Sequence, residues 1–542
     1  MTRIYSSPTN HLNLKKLRQL FISRSVLAWL CLAVFLIPHV SFSSDTDDDL
    51  LLMVPPMIAA LPTDKINVIN GWIVNDNEDV IWGYAGHNSW WHPLPVRPNI
   101  TRITSITGPL HQVEFSPFVD SMITSGFPAF EHNYGLWFDR RRDAHDVVCR
   151  NDSNVVGPLL IQPWARSGEG QACDGLSRYD LSQFNQTYFD RLGGFASQAN
   201  ENGAILINNY YMQHILLELN AHYADFAWRP SNNIQNVAMP NSVPAASSFY
   251  DVSDPQKREL HRAYIFRTLE TLGQYPNVIH QVSQEFTGDS EFVRFWISTI
   301  SEWEKRNRTN IHISLAATKD VQDTIMNEKE FADEVASLNL QYWWYQSNGS
   351  LFAPAGGRNV PGRYALGFES ANSSPTQIYR QVREYRDRFP NKAILHQIDA
   401  SRQQTWAFLM GGGSLLLRYM NYASNQERNY VRPVASSIIQ NTYNFINQNL
   451  ASELTSMLPV DLTSATNRET WGLANGKNSY LFYQTIGGSF TVDLRSADPG
   501  LSGTWFSPRD NLKIDAGIIF EGGFQRFQAP SSSDWALLIS RP

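Results

Sequence analysis

Eight short apolar runs, separated by stretches with helical periodicity, constrain the fold of this chain more than any other feature. One run ends near His87, and the others cover residues 127–130, 204–208, 278–282, 311–316, 338–343, 393–398 and 414–417. Between the runs, apolar side chains recur at helical spacing, as at Phe292, Trp296 and Ile300. Strands that alternate with helices in this number favour an α/β fold, a (β/α)8 TIM-type barrel. A doubly wound open sheet is the alternative, but no Gly-rich cofactor-binding fingerprint follows the first run.

The last part of the chain has a different pattern, which predicts a second domain. After about residue 450, short apolar runs recur between Gly, Asn, Asp, Ser and Pro residues. This spacing is typical of a small all-β sandwich. We therefore predict a barrel over residues 65–450, entered by a hairpin-like segment at residues 72–81, and a β-sandwich over residues 451–542.

The N-terminus has the pattern of a signal peptide over residues 1–43. Basic residues precede an apolar run at residues 26–37, and small residues follow at Ser41 and Ser43. The run is short for a membrane span, so we predict an exported, periplasmic or secreted protein with no stable span after processing. An uncleaved anchor is the alternative. Residues 44–64 are predicted to be a linker.

Cysteine usage fits an exported protein. The processed chain would keep only Cys149 and Cys173, which an oxidising compartment favours joining in one disulfide. Two buried free thiols are the alternative. The chain has no zinc-ligand spacing, nucleotide-binding loop or nucleophilic Ser elbow, so we expect neither a metal nor a cofactor.

Composition narrows the class of partner. The net charge of −7 argues against nucleic acid, because phosphate binding needs a basic face. Aromatic residues make up 12% of the chain and include 16 Trp, which suits stacking on sugar rings but also suits a large core. An oligosaccharide or polysaccharide is therefore a partner that the composition permits, and the residues at the strand ends make it the predicted substrate.

Two acidic residues are the predicted catalytic pair. Glu285 ends the fourth apolar run and Asp399 follows the seventh, and the carboxyl ends of barrel strands are where such barrels carry their chemistry. Hydrolysis of a glycosidic bond needs two carboxyl groups across the sugar, so we predict Glu285 as acid/base and Asp399 as nucleophile. Glu369 is the rival second carboxylate. The structural alternative for either residue is the N-cap of the helix that follows it.

Polar and aromatic side chains at other strand ends are predicted to line the same pocket. The predicted substrate-binding residues are His87, Trp91, Glu131, Arg140, Arg141, Asn209, Gln284, Trp343, Trp344 and Arg418. Core packing is the alternative for Trp343 and Trp344. The arginines are either a solvated loop or bind a uronate carboxylate or a sulfate ester, which would make the substrate anionic.

Histidine and tyrosine residues near the first three strand ends indicate a second chemistry. His132, Tyr134, Tyr210 and His214 could supply the acid and base of a β-elimination from a uronic acid, with Arg neutralising its carboxylate. Such an enzyme is a lyase or dehydratase. A structural role is the alternative for each histidine, and a non-catalytic carbohydrate-binding barrel is the third hypothesis.

Several segments resemble the apiosidase-like glycoside hydrolases. Residues 405–414 resemble the helix and Gly-rich entry to the eighth strand of those proteins, and residues 490–538 resemble their C-terminal domain, often labelled collagen-binding. Residues 131–142 look like a poorly characterised bacterial branch of the group. The resemblance covers residues 65–542 and implies a hydrolase acting on oligosaccharides from complex polysaccharides. Asp399 stands where many of these hydrolases carry Glu, and some relatives remove water from ulvan-type uronic-acid oligosaccharides.

Overall fold

The chain forms a closed barrel of eight parallel strands followed by antiparallel sheets, which confirms the predicted fold class. The computed structural model describes residues 65–87, 123, 126–133, 162–217, 223–360, 372–398, 400–418, 437–465, 469–519 and 522–542. The barrel strands are β3 (Gly83–His87), β4 (Ala129–Asn133), β7 (Ile205–Met212), β8 (Val278–Gln284), β9 (His312–Ala316), β10 (Val335–Asn339), β13 (Ala393–Gln397) and β14 (Leu415–Arg418). The barrel closes through pairing of β14 with β3.

Helices lie between the barrel strands, as in a (β/α)8 fold. They are α1 (Gln186–Glu201), α2 (Gln213–Leu217), α3 (Ala246–Phe249), α4 (Pro255–Leu272), α5 (Ser290–Asn307), α6 (Lys319–Asn327), α7 (Lys329–Ala332), α8 (Pro375–Arg388), α9 (Arg402–Met410) and α10 (Ser437–Asn449). The start signals predict two of them well. Asp254 and Ser374 each cap a helix whose first residue is Pro, and their side chains accept backbone N–H groups.

One element adds to the sequence prediction and one differs from it. The hairpin predicted at residues 72–81 is confirmed by an antiparallel bridge between Val74 and Val80. A second hairpin precedes it, in which β1 (Asn67–Ile69) pairs with β2 (Trp72–Val74) around a turn where Asn70 and Gly71 take positive φ angles. The sixth barrel strand ends at Asn339, not at residue 343. The aromatic run that follows it extends the apolar pattern but packs outside the ladder.

Apolar side chains fill the barrel in two layers. Alternate strand residues, such as Ala129, Ile207, Ile279 and Leu395, form an inner cluster at the amino end of the barrel. The residues between them face the helices and join one continuous outer core. The inner cluster thus closes one end of the barrel and leaves the carboxyl end for polar side chains.

The C-terminal region is two antiparallel sheets packed together, as predicted. The six-stranded sheet has the order β15-β17-β18-β23-β20-β21 and the three-stranded sheet the order β16-β19-β22. Their bounds are β15 (Leu458–Val460), β16 (Thr463–Ala465), β17 (Thr470–Ala474), β18 (Tyr480–Gln484), β19 (Ser489–Asp493), β20 (Leu501–Ser507), β21 (Leu512–Ile519), β22 (Phe524–Gln528) and β23 (Trp535–Ser540). We call this region the β-sandwich.

Two further hairpins lie in the loops of the barrel. They are β5 (Trp164–Arg166) with β6 (Tyr179–Phe184), and β11 (Trp344–Tyr345) with β12 (Leu351–Phe352). The described residues belong to one compact unit. None of the helices in the described ranges is both long enough and apolar enough to cross a membrane.

Candidate active site

Glu285 lies directly after the fourth barrel strand, in a strained backbone conformation. Its φ of 53° is in the left-handed region, which costs a residue with a side chain about 1–2 kcal/mol. Its backbone N–H donates a hydrogen bond to Oε1 of Gln341, 2.7 Å away, and Glu285 is half-buried. Strain of this kind persists where the surrounding structure enforces it, and it concentrates at functional sites.

Gln341 is a site residue that the sequence prediction missed. It lies two residues beyond the sixth barrel strand, is fully buried, and reaches the end of the fourth strand. Its neighbours Leu340 and Tyr342 make it look like part of an apolar strand. In the sequence, Gln341 stands out as a polar residue within an aromatic run, but this pattern does not show that it binds the backbone of Glu285.

A chain of buried polar side chains crosses the barrel interior just above the inner apolar cluster. Asn209 donates a hydrogen bond to Glu131 at 2.8 Å, and Gln281 donates one to Asn209 at 2.7 Å. Ser314 and Asn339 both donate to Oε1 of Gln281, at 3.1 and 2.9 Å. The structure thus brings the predicted residues Glu131 and Asn209 together and adds three that were missed. We call these five residues the polar floor.

The polar floor follows from the alternation of strand residues. Glu131, Asn209 and Gln281 each lie two positions after an inner apolar residue, so they face the same interior. Their exposure is essentially zero. A buried carboxylate and amides that bond one another form a fixed set of donors and acceptors at the base of the site.

His132 faces the helices, not the barrel interior. Its Nδ1 lies 2.7 Å from Oδ1 of Asn208, and its ring lies beside Tyr188 of α1. Burial lowers the pKa of His132 to about 3, against a smaller opposite effect of the Asn208 hydrogen bond. The ring is therefore neutral at pH 7 and lies on the opposite side of its strand from Glu131.

Tyr210 also belongs to the layer between barrel and helices. Its hydroxyl lies 2.8 Å from Nδ1 of His280, and its ring packs edge-on against Trp296 of α5. Burial raises the pKa of Tyr210 well above its usual value. Of the four predicted elimination residues, these two lie away from the interior. His214 is half-buried on the short helix α2, and Tyr134 lies outside the described residues.

Gln284 and a neighbouring contact shape the rim beside Glu285. Gln284 is buried at the last position of the fourth strand. Gln213, which opens α2 after the third strand, donates a hydrogen bond to the Thr287 hydroxyl. The backbone N–H of Gly357 donates to the carbonyl of Thr287 at 3.0 Å. Loops from three parts of the barrel therefore meet next to Glu285.

The tryptophan pair after the sixth strand occupies packed positions. Trp343 is fully buried, donates its indole N–H to Gln322 at 2.9 Å, and packs against Tyr385 of α8. Trp344 is also buried, at 3% exposure, and stacks on Phe352 with ring centroids 4.1 Å apart. Both tryptophans therefore lie in positions that fit the alternative of core packing.

The helix after the seventh strand, α9, is capped by Ser401 and not by Asp399. The N-cap of α9 is Ser401, whose hydroxyl accepts the backbone N–H of Gln404, while the Gln404 side chain accepts the N–H of Ser401. This capping box corrects the alternative role of Asp399 as the N-cap. The predicted cap after Glu285 is likewise supplied by another residue, Asp289.

Several predicted residues lie outside the described residues. They are Trp91, Tyr134, Arg140, Arg141, Cys149, Glu369 and Asp399. For His87 and Arg418 the strand backbone is described, and register places His87 opposite Glu131 and Arg418 opposite Gly86. Cys173 is disulfide-bonded, and its pairing with Cys149 stays a prediction. Within the described ranges, no group of three or more acidic, His or Cys side chains could hold a metal ion.

Two solved structures that share this fold are glycoside hydrolases by name. One, described as a glycoside hydrolase, superposes with a TM-score of 0.53 at 13% identity, over 88% of this chain and 97% of its own. A glycoside hydrolase family 5 protein from Bacteroides vulgatus gives a TM-score of 0.53 at 13% identity, over 88% of this chain and 94% of its own. At this identity the similarity shows the fold alone. No curated protein matches the sequence.

A protein-family match covers most of the chain. The model of the family described as "Domain of unknown function (DUF6298)" matches residues 41–434, from the predicted signal-peptide boundary past the eighth barrel strand. The apiosidase-like assignment stays a prediction beside it. Since the match spans well over half of the 542 residues, the chain belongs to the DUF6298 family.

Proposed function

We propose that the protein is a glycoside hydrolase that works at the carboxyl end of its barrel, with Glu285 as acid/base. The observation that carries the proposal is the placement of Glu285. A carboxylate stands at the end of the fourth barrel strand, in a left-handed conformation that a fully buried glutamine holds from the far side. Residues in this conformation occur at turns and helix ends, but Glu285 lies at the end of a barrel strand, where such strain points to a function.

The second carboxylate in this proposal is Asp399. The seventh strand ends at Gln397, two positions before it in the sequence, and the following helix has its own cap at Ser401. A glycosidase needs one carboxylic acid to protonate the leaving oxygen and one carboxylate on the opposite face of the sugar. A separation of about 5–5.5 Å between the two groups would give retention of configuration, and about 6.5–9.5 Å inversion.

The polar floor suits a sugar at this position. Sugar hydroxyls both donate and accept hydrogen bonds, and the floor offers one carboxylate and three amides held by mutual contacts. The register of the strands brings His87 beside Glu131 at the same level. We propose that Glu131 and His87 contact substrate, and that the hydrolase names of both fold neighbours support this substrate class.

We further propose an exported enzyme whose substrate is an oligosaccharide from a complex polysaccharide. Arg140 and Arg141 are the groups proposed to bind an anionic sugar. Elimination is the competing chemistry, and the helix-facing positions of His132 and Tyr210 weigh against it. It would have to rely on His214 and Tyr134.

Product mass decides between these chemistries. We would incubate the full chain with a panel of algal and plant oligosaccharides and analyse the products by mass spectrometry. Hydrolysis adds one water to the sum of the product masses, eliminative cleavage by a lyase leaves the sum unchanged, and dehydration removes one water. A gain of water supports the proposal. An unchanged sum or a loss of water, with a product that absorbs in the ultraviolet as a conjugated enoate, overturns it.

A further inference from the structure

The inner strands β17, β18 and β23 of the six-stranded sheet of the β-sandwich are buried on both faces. One face packs on the three-stranded sheet through residues that include Tyr480, Phe482, Trp505 and Leu537. The other face belongs to the core of the barrel and its helices, through Trp471, Leu481, Tyr483, Phe506 and Leu538. Every residue of β17 and β18 is buried. A sheet with a solvated face would alternate buried and exposed residues instead.

Aromatic side chains of this sheet stack on three helices of the barrel. The pairs are Tyr483 on Trp406 of α9 at 4.9 Å between centroids, Trp471 on Tyr379 of α8 at 5.0 Å, and Phe506 on Phe445 of α10 at 4.0 Å. The planes of all three pairs are within 14° of parallel. These rings are used for docking, so they do not form a free sugar-binding platform.

A buried carboxylate fixes the start of α9 to the β-sandwich. Arg402, the first residue of α9, donates from Nε and Nη2 to the two oxygens of Asp534, at 2.8 and 2.9 Å. Asp534 also accepts the Tyr483 hydroxyl at 2.9 Å and Arg509 at 3.0 Å. Its side chain is 2% exposed. A two-pronged Arg–carboxylate contact sets orientation as well as distance.

The fixed end of α9 is the end that faces the proposed site. The helix begins five residues after Gln397, where the seventh barrel strand ends, and its capping box lies at Ser401 and Gln404. The side chain of Gln404 also donates to the carbonyl of Ser373 at 2.6 Å. The Arg402–Asp534 contact, which we call the clasp, therefore acts on the segment that joins the seventh strand to its helix.

We propose that Asp534 and Arg402 are positioning residues through which the β-sandwich holds the carboxyl end of the seventh strand in its catalytic geometry. The inference rests on the proposed function, in which the segment after this strand supplies the second carboxylate. It assigns the β-sandwich a part in building the active site, in place of a separate binding module.

The test is Asp534→Asn in the full chain, with Asp498→Asn as matched control. Asp498 pairs with the exposed Arg541 at 3.1 Å, on the same domain. We expect Asp534→Asn to lower kcat by roughly tenfold or more, because small errors in the placement of reacting groups are costly, and to leave KM within about twofold. Asp534→Glu should recover part of the loss, and Asp498→Asn should match the unchanged chain.

Two readouts separate positioning from lost stability. Leu269→Ala removes a fully buried side chain of α4 and is the control for lost stability. It should lower the melting temperature without the loss of kcat expected for Asp534→Asn. Hydrogen exchange of residues 393–410 should speed up in Asp534→Asn and not in Asp498→Asn. If the Asn variant fails to fold, Arg402→Lys keeps the charge, loses the two-pronged contact and carries the same prediction.

The outcomes are distinct. A folded Asp534→Asn protein with unchanged kcat and unchanged exchange at residues 393–410 overturns the inference and leaves the proposed function standing. An unchanged chain that hydrolyses no glycoside overturns the proposed function, and the exchange measurement then still tests the clasp.

Discussion

At the scale of single residues, the site is defined by a conflict between local preference and tertiary structure. Glu285 takes a φ of 53°, where Gly is favoured, and its N–H is bound by a glutamine from the sixth-strand segment. Other residues with positive φ, such as Asn70 and Arg308, lie at a hairpin turn and a helix end, where such angles are common. Glu285 lies at a barrel strand end instead, so its conformation is tied to the site.

The strain gives a prediction at Glu285. Glu285→Gly should raise the free energy of unfolding by up to about 1 kcal/mol, because relief of the left-handed strain exceeds the entropy cost of Gly. The same change should abolish activity. Chemical denaturation and turnover are the measurements. Arg308→Gly, at a φ of 54° at the end of α5, is the matched control and should gain similar stability with activity kept. Equal activity in both variants would contradict the role of Glu285.

At the scale of elements, start signals and apolar periodicity predict the helices and most strands. Asp254-Pro255 and Ser374-Pro375 mark helix starts correctly because a side-chain cap and a fixed proline φ act locally. The sixth strand was predicted to end too late, at residue 343 instead of Asn339. A run of apolar and aromatic residues has the same sequence pattern in a buried strand and in a buried loop. Helix-facing and interior positions alternate within one strand, so sequence alone did not separate His132 from Glu131.

The capping box of α9 carries a prediction of its own. Ser401→Ala should lower stability by about 1 kcal/mol, because it removes the acceptor for the Gln404 N–H. Ser298→Ala, at an exposed position inside α5, is the control and should be close to neutral. Denaturant unfolding monitored by Trp fluorescence would show the difference. Equal stability of the two variants would contradict the assignment of Ser401 as the cap.

At the scale of the whole molecule, the fold encloses several histidines whose rings are neutral at pH 7. His132, His261 and His280 are buried between barrel and helices, and the half-buried His312 lies at the start of the fifth barrel strand. Burial lowers the pKa of His132, His261 and His280 to about 3, and that of His312 to about 4. These values lie below the unfolded value near 6.5, so the unfolded state binds more protons between them. The stability that these neutral histidines contribute is therefore full above about pH 6.5 and is lost as the pH falls toward 3–4.

The histidines predict how stability depends on pH. Each buried histidine should cost about 1.4 kcal/mol per pH unit below about 6.5, so the melting temperature should fall steeply from pH 6.5 to 4. His280→Gln, which keeps a polar partner for Tyr210, should make this slope shallower. The difference in melting temperature between His280→Gln and the unchanged chain at pH 7.5 measures the effect of the substitution on packing. This difference is subtracted from the differences measured at lower pH. A slope identical to that of the unchanged chain would contradict neutral burial of His280.

The most direct test of the account is the turnover of Glu285→Gln beside Glu291→Gln, a control at an exposed position in the first turn of α5. With natural oligosaccharides, whose leaving groups are poor, we expect Glu285→Gln to lose roughly two orders of magnitude or more in kcat, because the leaving oxygen is no longer protonated. With an activated aryl glycoside the loss should be much smaller, and Glu291→Gln should keep full activity. Unchanged turnover of the natural substrate by Glu285→Gln would contradict the account.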